Sequence, residues 1–315
     1  MKTSRNIYTD LSSLVDKKIE KYKTGDELYE EFPVDILTFV TSPDFLDWDE
    51  FLYPGIREIL EDFLVFEGDW LKYREGIVVA GMGTGKSRWS ALVLTYLVYR
   101  LLCFRTPQKF FQKPEEDTIQ LVNCAPSGDQ ANKVVFAYIS DSVNSCKWFK
   151  DRGYLPNPRV ESELQFPKGI YVTPGSSSAK PVLGKNLLVA IIDEMALFDV
   201  TRERDEAQVL FEQFEGRMKS RFPNEYVIIG ISTAETDDSF IENRFKVCKG
   251  EPLKRFAKRL AFWESRPNLF SGKFFSYKVS DVAGKEIETL QVPIELKKEL
   301  ETNTTKFLRD VAGRP

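Results

Sequence analysis

Two kinds of apolar segment alternate along this chain. The first kind is a short, nearly unbroken apolar run. Residues 76–80, 187–192 and 226–231 are of this type, and such runs suit strands buried on both faces of a parallel sheet. Residues 118–123 read as another strand, and 257–263 as one more. In the second kind, apolar residues recur every three or four positions. Ile56, Ile59, Leu60, Phe63 and Leu64 make one such stripe after Tyr53-Pro54-Gly55. A long apolar helix is expected from about residue 86 to 102. Ala131, Val134, Val135 and Tyr138 define a helix over 127–142, and Phe211, Phe214, Met218 and Phe222 define one over about 207–221. The stretch "RVESELQFPKGIYVT", residues 159–173, reads as short strands in a hairpin, and 176–185 as a loop. Strands that alternate with helices predict an α/β fold whose mostly parallel sheet is flanked by helices.

The junction between the strand at 76–80 and the long helix is "AGMGTGKS", residues 80–87. A turn needs one or two glycines; it has no use for a lysine and a hydroxyl where a helix starts. Gly81, Gly83 and Gly85 allow backbone N–H groups to converge, and the helix N-terminus adds its positive dipole. With Met82 and Thr84 completing the loop, Lys86 can reach β- and γ-phosphates and the Ser87 hydroxyl can ligate Mg²⁺. This is P-loop logic in a strand–loop–helix context. Ala80 stands where the pattern has its first glycine, and alanine cannot adopt positive φ cheaply.

Further candidates lie at other strand ends. The run 187–192 leads into Asp193 and Glu194. A buried strand end gains nothing from acid unless a cation is near, so Asp193 is expected to hold Mg²⁺ and Glu194 to polarise the attacking water. The run 227–231 leads into Ser232 and Thr233, which either sense the γ-phosphate or form an ordinary turn. Arg217 and Arg221 share one helical face, as an arginine finger or as a solvated basic face. Tyr53 and Arg57 either flank an adenine or pack. Lys254, Arg255, Lys258 and Arg259 form the densest basic run, which either contacts nucleic-acid phosphates or is an exposed edge.

Composition narrows the function classes. The 315 residues carry a net charge of −4, which argues against coating nucleic acid with the whole surface but allows a local basic stripe. Histidine is absent, so proton transfer falls to other groups. The four cysteines are widely spaced and read as thiols in a reducing compartment. The longest apolar stretch, 91–104, is interrupted by Thr95 and Arg100 and is too short for a bilayer, so no membrane partner is expected. The first six residues lead into polar sequence without a signal-like apolar core.

In this order the motifs resemble the large terminase subunit of tailed bacteriophages. The resemblance covers roughly residues 43–315. It rests on "LYPGIREIL", "APSGDQANKVVF", "LGKNLLVAIIDEMALF", "GRMKSRFP" before "VIIGISTA", and "LAFWESRPNLFSGKFF". It implies a RecA-like P-loop ATPase of the additional-strand, catalytic-glutamate type, with ATP and Mg²⁺ as cofactors. Lys86, Ser87, Asp193 and Glu194 take the phosphate, metal and water-activating roles, and Ser232 with Thr233 matches the coupling motif. The implied partners are double-stranded DNA, a homo-oligomeric ring, the capsid portal and the small terminase subunit, in the host cytoplasm. The sequence departs from the pattern at Met82, where members often have arginine, and at Gly55 and Ile56, where many have glutamine. The expected organisation is an N-terminal arm over 1–50, an ATPase core over 51–265 and a linker or accessory lobe over 266–315. Members continue into a nuclease with several metal-binding aspartates, and Asp281 and Asp310 stand isolated. The chain therefore reads as the ATPase portion of a longer protein. A superfamily 2 helicase would need a second RecA-like domain, and the roughly 80 residues after Ala234 are too few. A nucleotide-gated DNA clamp would not need Glu194. Incubation of the pure chain with plasmid and divalent metal is expected to leave the plasmid unnicked; metal-dependent nicking would contradict this organisation.

Overall fold

The computed structural model describes residues 28–127, 135–160, 162–176, 186–202, 204–280 and 286–315. The first 27 residues of the expected N-terminal arm, Asp281, most of the expected loop at 176–185 and the first part of the helix expected over 127–142 lie outside them.

Seven strands form the central sheet in the order β5-β6-β4-β7-β8-β3-β9. They are β3 (Glu75–Ala80), β4 (Ile119–Ala125), β5 (Leu164–Phe166), β6 (Ile170–Ser176), β7 (Leu187–Asp193), β8 (Val227–Ser232) and β9 (Arg255–Leu260). All neighbours pair in parallel except β5 with β6, the hairpin foreseen at 159–173. Two small strands, β1 (Phe66–Glu67) and β2 (Trp70–Leu71), pair separately. Every residue of β3, β4, β7 and β8 is buried, which explains their unbroken apolar runs: helices cover both faces. The Pro54–Phe63, Lys86–Cys103 and Ala137–Ser145 helices pack together, while Glu206–Arg221 and Phe240–Gly250 pack on β7 and β8 and on β3 and β9. The Lys86–Cys103 helix is buried throughout from Trp89 onward. All four cysteines are free and buried. Among the described residues no helix is long and apolar enough to cross a membrane.

The last expected strand, 257–263, starts and ends two to three residues earlier than the pattern suggested. β9 stops at Leu260 because Ala261 caps a short helix, Phe262–Ser265, where the Glu264 carboxylate accepts a hydrogen bond from the Ala261 N–H at 2.7 Å. Beyond it, the weakly patterned tail folds around its own apolar cluster. The antiparallel hairpin of β10 (Phe274–Ser280) and β11 (Glu286–Pro293) and the helices Lys297–Thr302 and Thr304–Asp310 enclose Trp263, Val292, Leu300 and Phe307. Trp263 and Phe307 stack with ring centres 5.9 Å apart.

Two glycines predict opposite outcomes. At Gly55, a Cβ would lie 2.6 Å from the Ser265 Cα, so the Pro54–Phe63 helix approaches the tail backbone closely. Gly216 is mid-helix and exposed, with nothing within 4 Å of its ideal Cβ position. In denaturant titrations Gly55→Ala should cost about 1–3 kcal/mol through overpacking. Gly216→Ala should stabilise by about 0.5–1 kcal/mol through helix propensity.

Candidate active site

The carboxyl ends of β3, β7 and β8 meet at one edge of the sheet. Beyond β3 the chain turns through Gly83 and Gly85, with φ of +70° and +97°, a left-handed region open to glycine at no steric cost. Gly85 caps the Lys86–Cys103 helix. Ala80 is the last residue of β3 and does not take a positive φ, so its methyl carries no strain at the first position of the motif. The buried Thr84 hydroxyl donates to the Gly81 carbonyl at 2.8 Å and folds the loop back on itself.

Lys86 extends under this loop. Its Nζ donates to the Ala80 and Gly81 carbonyls, both at 3.3 Å, and lies 4.0 Å from Glu194 Oε1. Burial lowers its pKa, and the charges of Glu194, Asp193 and Asp310 oppose that shift. The ammonium is thus held by long contacts in a place where water cannot solvate it freely.

β7 delivers the opposing acids. Asp193 is 2% exposed, and its Oδ1 has no hydrogen-bond partner among the described residues. Burial, then the Glu194 charge, push its carboxyl up to about 7, against the pull of Lys86. Glu194 follows at φ +49°, ψ +46°, a left-handed conformation uncommon outside glycine. Its Oε2 accepts from the Ser232 hydroxyl at 3.2 Å, and that hydroxyl accepts from the Ala196 N–H, also at 3.2 Å. The next residue of that segment, Thr233, lines the cleft. A buried, unpartnered carboxylate oxygen is costly unless a cation reaches it. Asp193 and the Ser87 hydroxyl offer oxygen donors, the kind that Mg²⁺ takes.

A cleft of about 640 Å³ opens over the loop. Tyr53, Met82, Gly83, Gly85, Lys86, Ser87, Glu194 and Thr233, all candidates from the sequence, line it. Arg57 does not; its guanidinium pairs with Asp49. Arg217 and Arg221 are exposed on the Glu206–Arg221 helix, away from the cleft wall. Most of the basic run is engaged within the fold. Arg255 pairs with Glu75 and Glu251, Lys258 with Glu58 and Asp62, and Arg259 with Glu242 and the Gly313 carbonyl, while Lys254 is exposed.

Sequence reasoning had not assigned a role to several residues of the wall. Arg266 places its guanidinium carbon 3.9 Å from the centre of the Tyr53 ring. Arg309 and Asp310 reach the cleft from the tail. Arg266 lies inside the quoted "LAFWESRPNLFSGKFF" stretch, which carried the resemblance but no site residue. Nothing in the local sequence around Arg309 and Asp310 points to the loop some 230 residues upstream.

The Asp193 shift fixes a sign. The ordinary aspartate value of 3.8 applies to the unfolded chain, and the folded value is about 7. The folded protein therefore keeps a proton that the unfolded chain releases, and stability falls as pH rises from about 4 to about 7. The unfolding midpoint of the nucleotide-free protein should fall over this range, and Asp193→Asn should remove that part of the slope.

The HK97 bacteriophage large terminase matches with a TM-score of 0.57 at 14% identity, over 88% of this chain and 54% of that one, so this chain spans about half of that terminase. The Thermus phage P74-26 large terminase ATPase domain matches with a TM-score of 0.49 at 14% identity, over 77% of this chain and 88% of that domain. The DEAD-box helicase Mss116, bound to ssRNA and UDP-BeF, is a fainter match: a TM-score of 0.41 at 14% identity, over 73% of this chain and 43% of that one. No curated protein matches the sequence. The family described as the N-terminal P-loop domain of uncharacterized protein MJ0330 matches residues 9–285, and the chain belongs to that family of P-loop domains.

Proposed function

We propose that this chain is the ATP-hydrolysing motor portion of a viral DNA-packaging terminase, driving double-stranded DNA into a procapsid from the host cytoplasm. The observation that carries the reading is the meeting of Lys86 Nζ and Glu194 Oε1 at 4.0 Å across one cleft, with Asp193 buried behind them. The fold shared with the HK97 terminase and the terminase-like stretches of sequence support the packaging role. Assembly as a ring on a portal, with a small terminase subunit, belongs to the same reading. Arg217 and Arg221, exposed on an outer helix, would meet a nucleotide only across a subunit boundary.

The chemistry follows from the residues. Loop amides and the Lys86 ammonium bind the β- and γ-phosphates, and Lys86 gives up its long carbonyl contacts for charge-assisted ones. Its departure leaves Glu194 free as a base. A water oxygen attacks the γ-phosphorus, the bond to the β-bridging oxygen breaks, and Glu194 accepts the water's proton, giving ADP and phosphate. Mg²⁺, held by Ser87 and Asp193, would neutralise charge on the phosphates. Ser232 fixes the Glu194 carboxylate, and the adjoining Thr233 faces the cleft, so loss of the γ-phosphate is felt at the end of β8. The Tyr53–Arg266 pair offers a flat cationic wall for a base.

Glu194→Gln should bind Mg²⁺·ATP but turn over roughly 10²- to 10⁴-fold more slowly, the usual worth of a positioned base. Wild-type turnover in that variant would exclude Glu194 as the base. Lys86→Ala should abolish the calorimetric signal of ATP binding. Double-stranded DNA should raise wild-type turnover; ATP binding without hydrolysis under any DNA condition would mark a nucleotide-gated clamp instead.

A further inference from the structure

The phosphate loop carries one cation, Lys86, and a triphosphate brings up to four negative charges. The tail supplies a second cation by a route that the sequence conceals. The Met82 N–H donates to the Asp310 carbonyl at 2.5 Å, and the Phe262 N–H donates to the Val311 carbonyl at 2.8 Å. A Cβ on Gly81 would lie 2.4 Å from the Val311 carbonyl oxygen, so no side chain fits between the loop and the tail backbone. The end of the Thr304–Asp310 helix is therefore seated directly on the loop, and Arg309 and Asp310 line the same cleft as Lys86 and Glu194.

The contacts of Arg309 are with anions. Its Nε donates to Asp310 Oδ1 at 2.8 Å, and the charge of Glu235 also acts on it. The Asp310 charge in turn acts on Lys86. One carboxylate, that of Asp310, thus acts on both the loop lysine and the tail arginine. Arg309 is 42% exposed and Asp310 9%, so the guanidinium has room to move while the carboxylate does not. The other cleft arginines are stacked: Arg266 on Tyr53, and Arg88 against Trp48 and Tyr138 at 4.9 and 5.4 Å.

We propose that Arg309 is a γ-phosphate ligand supplied by the same chain, restrained by Asp310 until a nucleoside triphosphate enters and its terminal phosphate displaces that carboxylate. The inference rests on the nucleotide-binding reading above. It makes the tail lobe a reader of triphosphate against diphosphate, because the arginine that exchanges partners adjoins the peptide that holds Met82.

The test is the ratio of ATP to ADP affinity, measured by calorimetry with Mg²⁺ in the Glu194→Gln background so that ATP persists. Arg309→Ala should lower ATP affinity roughly 10- to 100-fold, the size of one charge-assisted hydrogen bond, and leave ADP affinity unchanged. The ADP measurement also reports that the variant is folded. Arg309→Lys should recover part of the loss, and Asp310→Asn should shift the ratio toward ATP. If Arg309→Ala keeps the parent's ratio, or loses both nucleotides equally, the assignment is overturned while nucleotide binding stands. If the parent binds neither nucleotide, the functional reading fails and takes the arginine with it.

Discussion

Parallel pairing of β3 with β8 and of β8 with β7 is the constraint on which the site depends. Val79 pairs with Ser232 and Asp193 with Ile231, so three strands that are distant in sequence end within a residue of one another. In a parallel sheet all carboxyl ends point the same way, and the loops that follow them share one rim. A one-residue slip would turn alternate side chains to the opposite face. Such a slip would also draw a polar flanking residue into the buried length of a strand, where it would go unpaired. The geometry of the cleft is therefore fixed by hydrophobic burial away from it.

The tail lobe is the second constraint. Its own cluster around Trp263, Val292 and Phe307 keeps it folded, and its seat on the core is made largely by backbone. The Met82 N–H donates to the Asp310 carbonyl at 2.5 Å, and the Ser265 hydroxyl donates to the Thr84 carbonyl at 2.6 Å. Gly313, at φ +64°, brings its chain within 3.2 Å of the Gly81 nitrogen, measured from the Cβ position that glycine leaves empty. Backbone contacts of this kind tolerate little drift, so the loop and the lobe are held in close register.

Much of this was legible in sequence. Strands buried on both faces announce themselves as unbroken apolar runs, and a glycine-rich turn before Lys86 has few physical explanations. Asp193 and Glu194 could be read because acid at the end of such a run is costly without a cation. The charged residues were harder. Arg255, Lys258 and Arg259 look like a surface stripe until Glu75, Glu58, Asp62 and Glu242, brought in from other segments, are seen beside them. Arg57 likewise has its acid eight residues away, at Asp49. Pairing of charges across long sequence separations is a tertiary property, and no local pattern encodes it. Asp310 was noticed only as an isolated acid, since its role comes from a docking contact between carbonyls and amides.

Three groups at the rim of the cleft are individually unfavourable. Asp193 is buried with an unmatched oxygen, Lys86 is desolvated with only long contacts, and Glu194 is held in a left-handed conformation. Each departure alone is unfavourable, and none contributes to the packing of the core. The first two would be relieved by the same event, the arrival of a polyanion with its cation. The phosphates would give Lys86 close partners, the cation would satisfy Asp193, and Glu194 would be left facing the reacting water. A cleft built only for stability would not concentrate a buried, unpartnered carboxylate oxygen and a desolvated ammonium at one rim. Their shared remedy is the physical reason to place nucleotide chemistry there rather than at any other cavity of the fold.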